Sequence, residues 1–131
     1  MSAPPQDGFV PGRHLIDAYG AGGFRFAGMS HVGSILATPL GVRAVSAAGP
    51  EDINATLLQP LLDELADHPR SIEFLVVGTG ERMAALSQSL RARLRQAGLS
   101  VDIMATGPAS RVYNIMLGEN RRVAALLLAA P

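Results

Sequence analysis

Two short turns concentrate the residue types that bind anions. Gly78-Thr79-Gly80 follows the apolar stretch Ile72–Val77, and Thr106-Gly107-Pro108 follows Leu99–Met104. Open α/β sheets bind ligands at the carboxyl ends of their strands. Free backbone N–H groups and the positive end of a following helix favour a phosphate or carboxylate there. Arg111 and Asn114 stand three apart on one helix face. Arg111 can grip a carboxylate or phosphate through two parallel hydrogen bonds, with Tyr113 or Asn114 orienting the group. The candidate ligand site is therefore Gly78, Thr79, Gly80, Thr106, Arg111, Tyr113 and Asn114.

The specific nucleotide fingerprints fail. A dinucleotide turn has glycine at three places, Gly-x-Gly-x-x-Gly; Gly78 and Gly80 fit, but the third place holds Met83. A Walker loop needs lysine, and the chain has none. Glu81 beside the turn would repel a phosphate if it pointed inward. Tight αβ connections that need positive φ or close packing account for both turns without a ligand. Arg111 can equally pair with Asp102 or Glu119, and Tyr113 can be a packing residue with a hydrogen-bonded hydroxyl.

No catalytic set emerges. His14, His31 and His68 are scattered, with no helical ligand spacing and no carboxylate cluster, so no metal site is predicted. His31 and Ser34 suggest a base and a nucleophile, but no orienting acid accompanies them. Asp63, Glu64 and Asp67 read as the solvated face of a helix. With no cysteine there is no disulfide, thiolate metal site or thiol nucleophile, and with no lysine there is no Schiff base.

Eleven basic and eleven acidic residues give zero net charge. A nucleic-acid binder usually carries a basic excess, so that class ranks last. Arg91, Arg93 and Arg95 read as a solvated helix face beside Leu90 and Leu94. The longest apolar run, Val123–Ala130, has eight residues, against roughly 20 for a membrane-spanning helix. The first residues, MSAPPQDGFVPG, lack the basic start and apolar stretch of a signal peptide. The expected location is cytoplasmic.

The elements that must position the turns follow from periodicity. Residues 1–12 read as a loose tail and residues 13–131 as one α/β domain. Glycine-rich turns at Gly20–Gly23, Gly28–His31 and Pro39–Gly41 separate strand candidates at Leu15–Tyr19, Phe24–Ala27, Val32–Thr38 and Val42–Ala47. The rhythm then changes. Leu58, Leu61, Leu62 and Leu65 make one helix face, ended by Pro69. Met83, Leu86, Leu90, Leu94 and Ala97 predict a second helix, and Thr106 to Gly118 a third. Strands at Ile72–Val77, Leu99–Met104 and Val123–Leu128 alternate with them. The prediction is a compact three-layer α/β domain. Its central sheet is mainly parallel or mixed, with three helices, and N-terminal hairpins extend it or add a layer.

Several segments together carry a resemblance. "IDAYGAGGFRFAGMSHVGSILATPLGV", "EFLVVGTG" and "LRQAGLSVDIMATGPASRVYNIMLGENRRVAALLL" resemble a small single-domain family that includes the mitochondrial NADH dehydrogenase (complex I) assembly factor 3. An adipogenesis-associated human domain protein and many bacterial and archaeal proteins are in the same family. The match runs from about Ile16 to Leu128, and "YGAGGF" and "TGPASRVYNIM" look alphaproteobacterial. Its distinctive residues include His31, Gly33, Ser34 and Arg122. The resemblance implies a compact three-layer fold and a non-enzymatic assembly or interaction role with a protein partner, linked to respiratory complex I. It implies no cofactor, and a place in the cytoplasm or peripheral at the inner face of the inner membrane. Relatives often carry tryptophan near Arg43–Val45; this chain has no tryptophan. The alternative reading is a protein or enzyme that binds a small anionic ligand at the strand ends.

Overall fold

The structure, a computed structural model, describes residues 8–131. The described residues form nine strands and three α-helices, six strands first and then helices alternating with strands. The strands are β1 (Phe9–Pro11), β2 (Ala18–Gly20), β3 (Gly23–Phe26), β4 (Met29–Val32), β5 (Ser34–Thr38), β6 (Gly41–Val45), β7 (Phe74–Gly78), β8 (Ser100–Met104) and β9 (Val123–Leu127). The helices are α1 (Gln59–Asp67), α2 (Gln88–Gln96) and α3 (Thr106–Gly118).

A six-stranded mixed sheet in the order β1-β6-β5-β9-β7-β8 forms the centre. β7 runs parallel to both β8 and β9, because helices return the chain to the same end each time. β5 pairs antiparallel with β9 and β6, and β6 with β1. β2, β3 and β4 form a separate antiparallel sheet. The predicted hairpins thus do both things: β5–β6 extends the central sheet, and β2–β4 adds a layer.

Side-chain alternation along the buried strands divides the core. Leu75 and Val77 of β7, with Leu126 of β9 and Leu36 of β5, face Leu58 and Leu61 from the α1 segment and Leu90 and Leu94 of α2. Val76, Leu127, Ile35 and Ala37 face the opposite way, onto Ala109 and Tyr113 of α3 and Phe24 and Phe26 of β3. β7 and β9 are buried on both faces, which is why they read as unbroken apolar runs.

Four local expectations are corrected. Residues 9–11, assigned to the tail, pair with β6 through Phe9↔Arg43 and Val10↔Val42; residues 1–7 of that tail lie outside the described residues. Gly28–His31 is mostly strand β4, because the turn is completed by Ala27 and Gly28, both at positive φ. The second helix does not begin at Met83. The Ser87 hydroxyl accepts from Leu90 N–H and sets its start at Gln88, leaving Met83 63% exposed. Glu64 does not sit on a solvated face. It is 5% exposed, and its carboxylate accepts from the Thr38 hydroxyl at 2.5 Å and from Leu40 N–H at 3.3 Å. α1 thus grips the β5–β6 turn with a buried acid.

Candidate functional site

The two turns do meet. β7 ends at Gly78, and the first turn of α3 stands directly against it. A β-carbon on Gly78 would lie 2.9 Å from Thr106 Cα and 3.0 Å from Ala109 Cβ, so only glycine permits this approach. Gly80 adopts φ 101°, which L-residues avoid. Both structural demands anticipated for this turn are therefore present in its geometry.

The donors of the turn are engaged within the protein. Thr79 N–H donates to Met104 O at 2.9 Å. Gly80 N–H donates to Thr106 Oγ1 at 2.9 Å, and Thr106 N–H returns to Gly80 O at 2.8 Å. The Thr106 hydroxyl donates to Leu128 O at 2.7 Å, across to the strand after β9. The Thr79 hydroxyl donates to Arg82 O at 2.7 Å and accepts from Ala84 N–H at 2.9 Å. Both threonines are buried. Tyr19 of β2 closes the other side: a β-carbon on Gly107 would collide with its hydroxyl oxygen. The phenol lies on the first turn of α3. Tyr19 was legible only as a strand residue; its partner signal is the glycine between Thr106 and Pro108.

Arg111, Tyr113 and Asn114 diverge. Arg111 is exposed on the outer surface of α3. Tyr113 points inward, 1% exposed, its hydroxyl donating to His14 O at 3.3 Å. Asn114 clamps one residue of the N-terminal segment: its Oδ1 accepts from Ile16 N–H and its Nδ2 donates to Ile16 O, both at 2.8 Å. The arrangement fixes the segment that leads into β2. It spends Tyr113 and Asn114 on the fold and leaves Arg111 outside the cluster. We expect Arg111→Ala to change stability by no more than about 0.5 kcal/mol in urea unfolding, as exposed substitutions do.

Burial pushes the Tyr113 hydroxyl up to about 12, partly offset by the nearby charge of Arg13. The neutral phenol is the form the fold stabilises. That contribution is complete below the ordinary tyrosine value near 10 and is lost as pH rises from about 10 through about 12. Tyr113→Phe removes the ionisation, so its alkaline loss of stability should be shallower over that window. Urea midpoints between pH 9 and 12, with phenolate absorbance followed in a Tyr19→Phe background, measure both.

Comparison with known proteins places this geometry. Residues 16–128 match the family described as a protein of unknown function (DUF498/DUF598). The chain belongs to the DUF498/DUF598 family. It is 36% identical to an uncharacterised protein of Rhodobacter capsulatus, covering 98% of this chain and 94% of that protein. It is 34% identical to NADH dehydrogenase [ubiquinone] 1 alpha subcomplex assembly factor 3 of Xenopus tropicalis, over 87% of this chain but 60% of that relative. The chain thus spans about three fifths of the assembly factor's length. A crystal structure described as an outer membrane protein from Bartonella henselae superposes with a TM-score of 0.85 at 44% identity, covering 92% of this chain and 98% of that one.

Gly33, Ser34, Arg122 and His31 take structural places in this DUF498/DUF598 chain. Gly33 adopts φ 100° and donates its N–H to Gly22 O at 2.8 Å, breaking the expected strand Val32–Thr38 before Ser34. The Ser34 hydroxyl donates to Ala47 O and accepts from Ala129 N–H, both at 2.9 Å. It therefore ties β5 to the segment after β9. Arg122 donates to Arg70 O at 2.8 Å and pairs with Glu73 at 2.9 Å, holding the approach to β7. His31 packs its ring against Phe26, centroids 6.4 Å apart. Its Nε2 is buried without a hydrogen-bond partner. Among the described residues no three histidine or carboxylate side chains gather to hold a metal ion. No helix among them is long and apolar enough to cross a membrane.

Proposed function

We propose that this chain is a non-enzymatic assembly or interaction factor, working with a protein partner in the biogenesis of a membrane complex such as respiratory complex I. The relationship to the Xenopus assembly factor across 87% of the chain carries the reading. The engaged donors of the strand-end turn support it over the ligand-binding alternative, since a ligand site at the strand ends would keep them free. An anionic ligand held by Gly78, Thr79, Gly80 and Thr106 would first have to displace those internal bonds. The proposed location is cytoplasmic, peripheral at the inner face of the inner membrane.

Deletion of the gene in its own organism, with complex I resolved on native gels, tests the reading. The expected result is a reduced mature complex and accumulated subassemblies. Affinity capture should recover a subunit of a membrane complex. Normal complex I levels together with capture of no such subunit would sink the proposal.

A further inference from the structure

The last strand of the central sheet, β8, is an open edge. Among the described residues it pairs with β7 on one side and has no strand neighbour on the other. Natural edge strands are blunted by proline, lysine, a bulge or a covering element. β8 reads Ser100-Val101-Asp102-Ile103-Met104 and keeps five-residue register with β7, so only Asp102 guards it. The opposite edge, β1, is three residues long and ends in Pro11.

The free backbone groups can be located. Ser100 N–H donates to Glu73 O, and Met104 O accepts from Thr79 N–H, so both residues direct their backbone toward β7. Alternation then turns the N–H and C=O of Val101 and Ile103 away from β7. They open into a groove of about 330 Å³ whose other wall is α2, through Arg91 and Arg95. Arg93, by contrast, faces the α1 side. The ion pairs among the described residues are Arg121–Glu119 and Arg122–Glu73, so Arg91 and Arg95 make no ion pair there. Asp102 also lines the groove, but alternation sets it on the face opposite Val101 and Ile103, which pack on the α2 side.

We infer that this groove takes an extended acidic peptide as an added strand beside β8, its carboxylates at alternate positions meeting Arg91 and Arg95. The spacing agrees. Four residues of helix rise about 6 Å, and two residues of strand about 6.7 Å. An acidic-x-acidic segment therefore matches both guanidinium groups, while its backbone bonds to Val101 and Ile103. A second copy of this chain does not fit. Antiparallel pairing of two β8 strands about Asp102 would set like carboxylates opposite each other and bring both arginine pairs to one face. The inference deepens the interaction-factor reading by naming a partner class. The binding measurement below needs no complex I phenotype, so either can fail alone.

The test is an amide-shift titration of the whole chain with acetyl-Val-Glu-Val-Glu-Val-amide. Shifts should centre on residues 100–104 and on α2, and the Val101 and Ile103 amides should gain exchange protection while Asp102 does not. Each exposed charge pair contributes up to about fivefold in affinity, so R91A/R95A should weaken binding by about tenfold. The same peptide N-methylated on every backbone nitrogen should not bind, and neither protein fold nor charge is altered by that change. The inference is overturned if the N-methylated or the Val-Glu-Glu-Val-Val peptide binds equally well. It is also overturned if R91A/R95A binds as tightly as the parent, or if an oligothymidylate of the same charge binds more tightly.

Discussion

Thr106→Val should lower the unfolding free energy by about 2–5 kcal/mol, because one hydroxyl joins three parts of the chain. It donates to Leu128 O and accepts from Gly80 N–H, and the side chain is fully buried. Valine keeps the shape and removes the hydroxyl, so a buried carbonyl and an amide lose their partner together. Each unsatisfied buried group costs roughly 1–3 kcal/mol. Gly80 is half-buried, so water recovers part of the loss there. Thr106→Ser keeps the hydroxyl and gives up one methyl group, worth about 1 kcal/mol. Urea unfolding of the three proteins at constant slope separates the two contributions. If the valine variant lies within about 1 kcal/mol of the serine variant, the hydroxyl bridge is not what closes the strand ends, and they become available to a ligand again.

That result bears on why a candidate anion-binding turn was legible in the sequence but its internal bonding was not. Glycine and threonine at a strand end are demanded alike by a phosphate cradle and by a helix packed tightly on the strand. The difference lies in where the N–H groups point, and it depends on residues far away in sequence. Thr106 reaches Leu128, and Tyr19 reaches Gly107. The β-α alternation of the second half was legible because buried strands and amphipathic helices have distinct periods. Glu64 was misread for a related reason. It follows Leu61 by one helical step of three, so it belongs to the buried edge of the apolar face, and only Thr38 and Leu40 explain a carboxylate there. The start of α2 was misread because Met83 and Leu86 keep helical spacing while Thr79 Oγ1 holds the chain at Arg82 and Ala84 in a non-helical path. Asn114 was noticed as a polar residue on the third helix, but its partner Ile16 lies 98 residues away.

Asn114→Ala is the second large effect, and it should act on the added layer more than on the central sheet. Ile16 is 5% exposed, and both its N–H and its C=O are met by one side chain at 2.8 Å. An asparagine amide offers a donor and an acceptor side by side, which is what one residue of a neighbouring strand offers. Alanine leaves both backbone groups without a partner, at about 2–4 kcal/mol. Beyond Ile16, Asp17 N–H already bonds Arg25 O, so the ladder of β2 with β3 should persist while its attachment to α3 loosens. Exchange of the Ile16 amide should therefore accelerate about 30- to 1000-fold, well ahead of amides in β7 and β9. Asn114→Asp separates the two bonds. An ionised carboxylate can accept from Ile16 N–H but repels Ile16 O, whereas the protonated acid donates to it. The folded state therefore raises the pKa of the new acid. Relative to the parent, that variant should be most stable below pH ~4 and lose stability as pH rises through the raised value. A variant whose stability rises with pH instead would mean that Ile16 O is satisfied without Asn114, and the clamp would then consist of its single bond to Ile16 N–H.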